Sequence, residues 1–178
     1  NHRKAFSQLK IQVVCDLLCA RVEHLSLSGF TRNDQRASPD ILTLLQPGDL
    51  IIRDLGYFVL SVFANIIACK AFFLSRYRNG TMVLDPITQR PILLSKVLRK
   101  YGCFDAQVWL GETARVPVRF VAVAVPDAVA NQRRRNLRQN RDRKLNPGKE
   151  HLYLLGWNIF VTNVDPTVWP AKQLHVIY

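Results

Sequence analysis

The stretch that decides the fold is GDLIIRDLGYF, residues 48–58, in which a short apolar run ends at an acidic residue. The run at 50–52 predicts a short strand of the kind that is buried on both faces. Asp54 follows the strand, and a glycine and two aromatic residues come soon after it. An aspartate in this position either ends the strand as a cap or turn residue, or binds a hard cation, which takes several oxygen ligands.

The segments around this stretch predict a mixed sheet with helices packed on it. Residues 8–30 read as two strands joined by a turn near Asp16, and "AFFLSRY" reads as a further strand. The segment from Ser38 predicts a helix with Ser38 as N-cap and Pro39 in the first turn, and another helix follows Asp54. Asn79-Gly80 predicts a hairpin turn into "TMVL". This order of elements, β-β-α-β-α-β, indicates an α/β fold.

The pattern becomes richer in strands after about residue 80. "PILLSKVLRKYG" predicts a helix with its apolar residues on one face, and "AQVWLG" and "RVPVRFVAVAV" alternate with the period of strands. In the second of these strands the alternation predicts one apolar side, formed by Val116, Val118, Phe120, Ala122 and Ala124. "GWNIFVTNV" predicts another strand, and "PAKQLHVIY" predicts the start of a helix.

Half of the net charge of the chain is concentrated in one polar segment. The net charge is +12, and residues 131–150 carry eight cations against two acids. Such clustering is typical of a surface that contacts the phosphates of a nucleic acid, whereas a solvated helix face is the alternative. The candidate DNA contacts are Arg133, Arg134, Arg135, Arg138, Arg141, Arg143 and Lys144. On a helix, three of them would share a face: Arg134, Arg138 and Arg141.

The apolar runs, the cysteines and the first residue of the sequence exclude or disfavour some classes of protein. The longest apolar run without a charge, residues 57–69, is too short to cross a bilayer, so we expect no membrane span. The four cysteines form no CxxC pair, which disfavours a zinc site and favours reduced thiols in a cytoplasmic protein. Because the chain begins with Asn1 and its single methionine is Met82, we expect it to be part of a longer protein.

The acidic residues alone do not decide the role of Asp54. Asp40 and Asp49 are explained by a helix start and a turn, and a metal site needs several carboxylates gathered together. Asp16 lies in the predicted turn of the first strand pair. On residue pattern alone, both readings of Asp54 therefore remain open.

Four stretches taken together resemble the DDE transposases of bacterial insertion sequences, in the branch with a β-rich insertion between the second and third acids. They are "KIQVVCDLLCARVEHLSLSGFTRNDQ", "GDLIIRDLGYF", "GWNIFVTNV" and "QLHVIY". The second-acid motif of that branch, D-x-G-Y-F, is matched by Asp54, Gly56, Tyr57 and Phe58. Its Thr-Asn pair is matched by Thr162 and Asn163, and the tyrosine before its third acid is matched by Tyr178.

The resemblance implies a ribonuclease-H-like core in which three carboxylates hold two Mg²⁺ or Mn²⁺ ions. Asp54 would be the second acid and a metal ligand. The first acid would precede Asn1, and the third, a glutamate, would follow Tyr178. Asp16 matches a position that is not catalytic in the family, and Leu55 stands where the motif often has arginine.

The resemblance also implies an organisation and a function. Residues 1–80 would form the first part of the core, 81–160 the β-rich insertion, and 161–178 the return to the core. The complete protein would cut and rejoin double-stranded DNA at the ends of the element, would self-associate on DNA, and would act in the bacterial cytoplasm. This piece by itself would be inactive. The alternative is a DNA-binding or regulatory remnant of a decayed transposase.

Overall fold

The computed structural model describes residues 8–139 and 147–177. Its eight strands, in chain order, are β1 Leu9–Asp16, β2 Arg21–Gly29, β3 Leu50–Arg53, β4 Phe72–Arg76, β5 Val83–Leu84, β6 Cys103–Leu110, β7 Val116–Ala124 and β8 Trp157–Thr162. The helices are α1 Asp34–Ala37, α2 Leu60–Ala68, α3 Leu94–Tyr101, α4 Asp127–Gln139, α5 Lys149–Leu154 and α6 Ala171–Ile177. Two short 3₁₀ helices cover Ser38–Thr43 and Leu55–Tyr57.

The strands form one mixed sheet and one separate hairpin, which confirms the predicted α/β class. The six-stranded sheet has the order β3-β4-β8-β7-β6-β5, in which β3 and β4 are parallel and the other pairs are antiparallel. β1 and β2 pair with each other, and the predicted turn joins them. This arrangement is consistent with a ribonuclease-H-like domain.

Both faces of the six-stranded sheet are covered. The larger core lies on the face that holds α2 and includes Phe63, Phe73 and Phe120, with the first two rings stacked 4.4 Å apart. The smaller core, on the other face, joins Leu174 of α6 to Leu74, Val121 and Phe160. α6 therefore lies across β4, β8 and β7 on the face opposite α2.

The hairpin β1–β2 packs one face against the rest of the protein and exposes apolar side chains on the other. On the inner face, Gln12 is buried and donates from Nε2 to Tyr57 Oη at 3.3 Å, and Val14 packs against the larger core. On the outer face the apolar side chains are exposed, among them Leu9, Ile11, Val13, Leu25 and Leu27. The predicted strand alternation is confirmed, but in the described part of the chain the apolar side is the one that faces solvent.

Two local predictions were wrong for reasons of packing. Asn79-Gly80 does form a turn, but β4 and β5 do not pair, because β3 and β8 already occupy both edges of β4. Ser38 is not an N-cap: the helix begins earlier at α1, where Asn33 Oδ1 accepts from Arg36 N at 2.9 Å. The segment from Ser38 continues as a 3₁₀ helix, with Ser38 buried.

The prediction of a single apolar side for β7 was also wrong. Val116, Val118, Phe120 and Ala122 are buried as expected, but Ala124 is exposed. Two residues of the other face, Arg119 and Val121, are buried as well. The middle of β7 is covered on both faces because α6 packs on the second one.

The proposed division at residues 80 and 160 does not coincide with a break in the sheet. β5, β6 and β7, from the predicted insertion, continue the same sheet as β3 and β4 of the predicted core. β8 spans the second boundary and bridges β4 to β7. The three-part organisation stays a prediction.

Candidate functional site

Asp54 directly follows the last residue of β3, and its side chain is exposed. Its backbone is extended, with φ −67° and ψ 157°, and its carbonyl accepts a hydrogen bond from Tyr57 N at 3.0 Å. The side chain makes no capping hydrogen bond to the 3₁₀ helix that follows. The backbone of Asp54 thus ends the strand, and its carboxylate is not needed for that role.

A buried network supports the turn that carries Asp54. Arg53 Nη2 donates to both the carbonyl and the hydroxyl oxygen of Ser38 at 3.0 Å, and its guanidinium lies 5.4 Å from the ring centroid of Tyr57. Ser38 Oγ in turn donates to Tyr57 O at 2.8 Å. Burial lowers the pKa of Arg53 to about 10. Sequence reasoning missed Arg53 and Ser38, although a cation inside an apolar strand was a visible signal.

The other residues of the D-x-G-Y-F motif have separate structural roles. Gly56 lies against the side chain of Asp34, which forms an ion pair with Lys10. Tyr57 accepts the hydrogen bond of the hairpin residue Gln12, and Phe58 is buried. Gly56 therefore lets the turn pack against α1, Tyr57 joins the turn to β1, and Phe58 anchors it in the core.

Thr162 and Asn163 lie two strands away from β3, and Thr162 is level with Leu74 and Ile52, two residues before the level of Asp54. Asn163 Oδ1 accepts from Phe73 N at 2.8 Å, and Asn163 Nδ2 donates to Ala71 O at 2.9 Å. Thr162 Oγ1 donates to Phe73 O. These contacts are at the start of β4, whereas Asp54 follows the end of β3, and the two strands are parallel. The structure does not bring this part of the motif to Asp54.

A metal site with Asp54 is incomplete in the described part of the chain. The three-residue acidic or thiol cluster found among the described residues consists of Asp16, Cys19 and Glu23, and it does not include Asp54. Asp16 is already used in its turn, where Oδ1 accepts from Leu18 N and Cys19 N. Hydrogen bonding, first of all from the Cys19 side chain, lowers the pKa of Asp16. Asp54 therefore fits the role of one oxygen ligand, and a two-ion site requires further carboxylates.

The arginines of α4 fall into two groups. Arg133 and Arg134 are half-buried: Arg133 donates to Asn158 Oδ1 at 2.8 Å and to a neighbouring carbonyl, and Arg134 Nε donates to Leu152 O at 3.0 Å. Burial, followed by repulsion from a nearby arginine, lowers the pKa of Arg133. Arg135 and Arg138 are exposed. The first two arginines attach α4 to the body of the protein, and the other two are free to contact a ligand surface.

The remaining candidates of the basic segment, Arg141, Arg143 and Lys144, lie outside the described residues, as does Tyr178. The proposed helix face of Arg134, Arg138 and Arg141 therefore stays a prediction.

A second set of exposed cations lies beside α4 and was missed by sequence reasoning. α3 carries Lys96, Arg99 and Lys100, all exposed. α5 lies between the two basic helices, because Arg99 stacks over Tyr153 at 5.5 Å and Arg134 binds Leu152 of the same helix. The short spacing of these cations along α3 was a weak signal in a chain with many lysines and arginines.

The comparisons with known proteins agree with the motif order. Residues 1–178, the whole chain, match the family model described as "Transposase DDE domain". The chain belongs to the DDE transposase family. No solved structure matches it closely enough to serve as a comparison.

Among curated proteins, this DDE domain is similar to transposases of insertion sequence elements. It is 26% identical over 190 residues to the transposase for element IS231D of Bacillus thuringiensis subsp. finitimus. It is 24% and 25% identical to the transposases for IS231B and IS231C of Bacillus thuringiensis subsp. berliner, over 190 residues each. Each alignment covers 96% of this chain and 40% of the relative. The DDE domain described here therefore spans less than half the length of these relatives.

The DDE transposase family generally uses divalent metal. In the described part of the DDE domain, no helix is long and apolar enough to cross a membrane.

Proposed function

We propose that the complete protein is a DNA transposase that cuts and rejoins DNA at the ends of an insertion sequence. The observation that carries this proposal is the exposed Asp54, held at the end of the edge strand β3 by a buried network, in a chain of the DDE family. The reaction is phosphodiester hydrolysis followed by strand transfer. The similarity to the IS231 transposases supports this substrate class.

Asp54 is proposed as the second of three carboxylates that hold Mg²⁺ or Mn²⁺. When bound, such a pair of ions activates water or a 3′-hydroxyl and stabilises the leaving oxygen. The chain supplies the rigid support for one ligand: the buried Arg53–Ser38–Tyr57 contacts keep the turn after β3 in place. The other two carboxylates are proposed to come from the parent protein outside residues 1–178, so the piece by itself is inactive.

The direction of α6 supports this assignment of the third acid. β7 and β4 both pair with β8, so Arg119 is level with Leu74, and Val121 is level with Arg76. β3 runs parallel to β4 with Arg53 beside Ser75, which places Asp54 near the level of Arg76. The loop before α6 contacts Arg119 of β7, and Leu174 of α6 packs with Leu74 of β4, Phe160 of β8 and Val121 of β7. α6 therefore runs from β7 toward β4, the strand that pairs with β3, and advances by about 1.5 Å per residue.

The exposed cations of α3 and α4, together with Arg141, Arg143 and Lys144 of the sequence after α4, are proposed as the surface that contacts double-stranded DNA. The two helices flank α5, and together they display Lys96, Arg99, Lys100, Arg135 and Arg138. Contacts to phosphates hold DNA in place without reading its sequence. Self-association on DNA and a cytoplasmic location belong to the same proposal.

The alternative of a decayed remnant is not favoured by any comparison. The match to the family runs through the whole chain, and the motif residues around Asp54 are all present. The flanks of the gene separate the two possibilities: an acid upstream of residue 1 and an Arg-then-Glu pattern soon after Tyr178 support the enzyme. Stop codons or lost acids there would support the remnant.

The direct experiment uses the full-length parent protein and DNA that carries the ends of its element. Asp54→Asn is compared with Asp49→Asn, which alters the other end of the same strand, where Asp49 Oδ2 accepts from Gln46 N. We expect Asp54→Asn to abolish strand cleavage in Mg²⁺ and Mn²⁺ while DNA binding persists. We expect Asp49→Asn to cleave at close to the wild-type rate.

A readout independent of turnover is cleavage of the polypeptide by hydroxyl radicals generated at bound Fe²⁺. The wild-type protein should be cut near residue 54, and Asp54→Asn should not be. Strand cleavage by Asp54→Asn at the wild-type rate would rule out the proposed role of this residue.

A further inference from the structure

The largest fully buried side chain in the described part of the protein belongs to a charged residue, Arg119 of β7. It is 1% exposed and forms a two-point ion pair with Asp105 of β6, with Nε–Oδ1 at 2.7 Å and Nη2–Oδ2 at 2.6 Å. The remaining nitrogen, Nη1, donates to Trp169 O at 2.7 Å and to Val164 O at 3.4 Å. Every nitrogen of the guanidinium is therefore engaged.

The two carbonyls that Arg119 binds lie at the two ends of one loop. Val164 is two residues past the end of β8, and Trp169 is two residues before the start of α6. Within the loop, Asp165 Oδ1 accepts from Thr167 N at 2.8 Å, which keeps it compact. One side chain thus ties both ends of the connection to the middle of the sheet.

α6 is held to the sheet by one directional hydrogen bond and by apolar packing. Arg119 donates to Trp169 O just before the helix, and Trp169 and Ala171 pack with Leu174 against the cluster of Leu74, Val121 and Phe160. The apolar contacts keep the helix on this face of the sheet, whereas a hydrogen bond also has a preferred direction. Arg119 therefore supplies the directional contact at the start of the helix.

Stability alone does not account for a guanidinium in this place, because Arg119 is 1% exposed whereas the side chain of its partner Asp105 is 30% exposed. Removing the charge of Arg119 from water is costly, and replacing a buried charge pair by apolar side chains of similar volume is often neutral or stabilising. A guanidinium with fixed donor directions instead determines geometry, because each hydrogen bond is made in one orientation only. What the pair contributes here is the position of the loop and of α6.

We propose that Arg119, held by Asp105, is a positioning residue for the metal site of the parent enzyme. Arg119 determines where α6 starts. The continuation of this helix can then bring the third carboxylate to the sheet edge beside Asp54, where both would bind the metal. The inference rests on the proposed function, since it assumes a third acid beyond the described part of α6. It also assigns a role to β6 and β7, which lie in the predicted insertion and hold a helix of the core.

The test compares two forms of the full-length parent protein with the wild type. The first carries Arg119→Met with Asp105→Leu, which removes the hydrogen bonds but keeps an apolar pair of similar size. The second carries Arg119→Lys, which keeps the charge but cannot reproduce the two-point geometry together with both carbonyl hydrogen bonds. Three quantities are measured: the urea midpoint, the affinity for element-end DNA, and the concentration of Mn²⁺ or Mg²⁺ at half-maximal strand cleavage.

We expect the double variant to stay folded and to keep the DNA affinity of the wild type, with a urea midpoint that is lowered because Trp169 O and Val164 O lose their donor. We expect its half-maximal metal concentration to rise about 10-fold or more, the usual scale for loss of a residue that orients a metal ligand. Cutting of the polypeptide near Asp54 by Fe²⁺-generated radicals should persist in pattern but require more Fe²⁺. Arg119→Lys should show a smaller shift in the same direction.

The outcomes separate the two proposals. If the wild type cleaves DNA and either stably folded variant shows an unchanged metal dependence, the positioning role is overturned. A loss of activity that only follows a loss of stability in both variants also overturns it. If the wild-type parent itself shows no metal-dependent cleavage, the proposed function fails first.

Discussion

Gly56 lies directly against the carboxylate of Asp34: a Cβ added at Gly56 would be 2.5 Å from Asp34 Oδ2 and 3.2 Å from its Cβ. The glycine of the motif is thus explained by close approach rather than by an unusual backbone angle. Asp34 is itself held by its ion pair with Lys10 of β1. The turn that carries Asp54 therefore has room for its neighbours only because residue 56 has no side chain.

Gly56→Ala should lower the free energy of unfolding by about 1–3 kcal/mol, because an added methyl group in a packed site forces its neighbours to move. Asp34→Ala removes the atoms that would clash first, and we expect the double variant to recover most of the loss. Urea unfolding of the four forms of the full-length protein gives the coupling between the two sites. Strictly additive effects would contradict the proposed contact.

Asn163→Ala should destabilise the protein by about 1–3 kcal/mol, the cost of leaving backbone groups without their partner. The side chain amide satisfies Phe73 N and Ala71 O at the start of β4. Asn136→Ala, on the exposed part of α4, is the matched control and should change stability little. Chemical unfolding measures both. Equal stability in the two variants would mean that the Thr-Asn pair has another role.

The two groups of α4 arginines should behave differently. Arg135→Gln with Arg138→Gln should flatten the dependence of log K on log salt by about 0.9 for each phosphate that is no longer neutralised, with unchanged stability. Arg133→Gln with Arg134→Gln should lower stability, because these side chains bind Asn158 and Leu152 O. Salt titrations of duplex binding and urea unfolding test the pair of variants. An unaltered salt slope in the first variant would remove Arg135 and Arg138 from the DNA surface.

Lys96→Gln with Arg99→Gln should also flatten the salt slope if α3 contributes to the same surface. Both residues are exposed on the helix beside α5. Lys70→Gln, an exposed cation in the turn between α2 and β4, is the control of equal charge type. If both variants change the slope equally per charge removed, the effect is one of net charge, and α3 is not a specific part of the surface.

Tyr77 should titrate well above an ordinary tyrosine. Burial raises its pKa to about 12, and its hydroxyl donates to Thr81 O. The pKa of Tyr77 is higher in the folded protein than the unfolded value of 10.0. The stability that the neutral Tyr77 hydroxyl contributes is therefore complete below pH 10 and is lost as the pH rises toward 12. The difference in tyrosinate absorbance between wild type and Tyr77→Phe should have its midpoint near the higher value. A midpoint at the ordinary value would show that Tyr77 is accessible to water.

Local patterns were reliable where a segment makes its own structure. The strand before Asp54, the alternation in residues 8–30 and the helix of residues 94–101 were all predicted from spacing. The expected burial of that strand on both faces was wrong, because β3 lies at the edge of the sheet and Leu50 is exposed. Local patterns failed where contacts with another segment determine the structure. Asn79-Gly80 is a good hairpin sequence, yet no hairpin forms between β4 and β5, because β3 and β8 already pair with the two edges of β4. Burial of Arg119 was not predicted, because its partners lie 14, 45 and 50 residues away.

The sequence by itself determined the family and the α/β class and predicted a role for Asp54, because a motif is a local order of residue types and needs no folding to be read. Tertiary structure alone decided which residues support that aspartate: Arg53 and Ser38 behind the turn, and Asp34 against Gly56. It also divided the arginines of α4 between attachment and exposure. The physical reason is that hydrogen bonds and close contacts depend on distances between segments, and those distances exist only after the sheet and helices have packed.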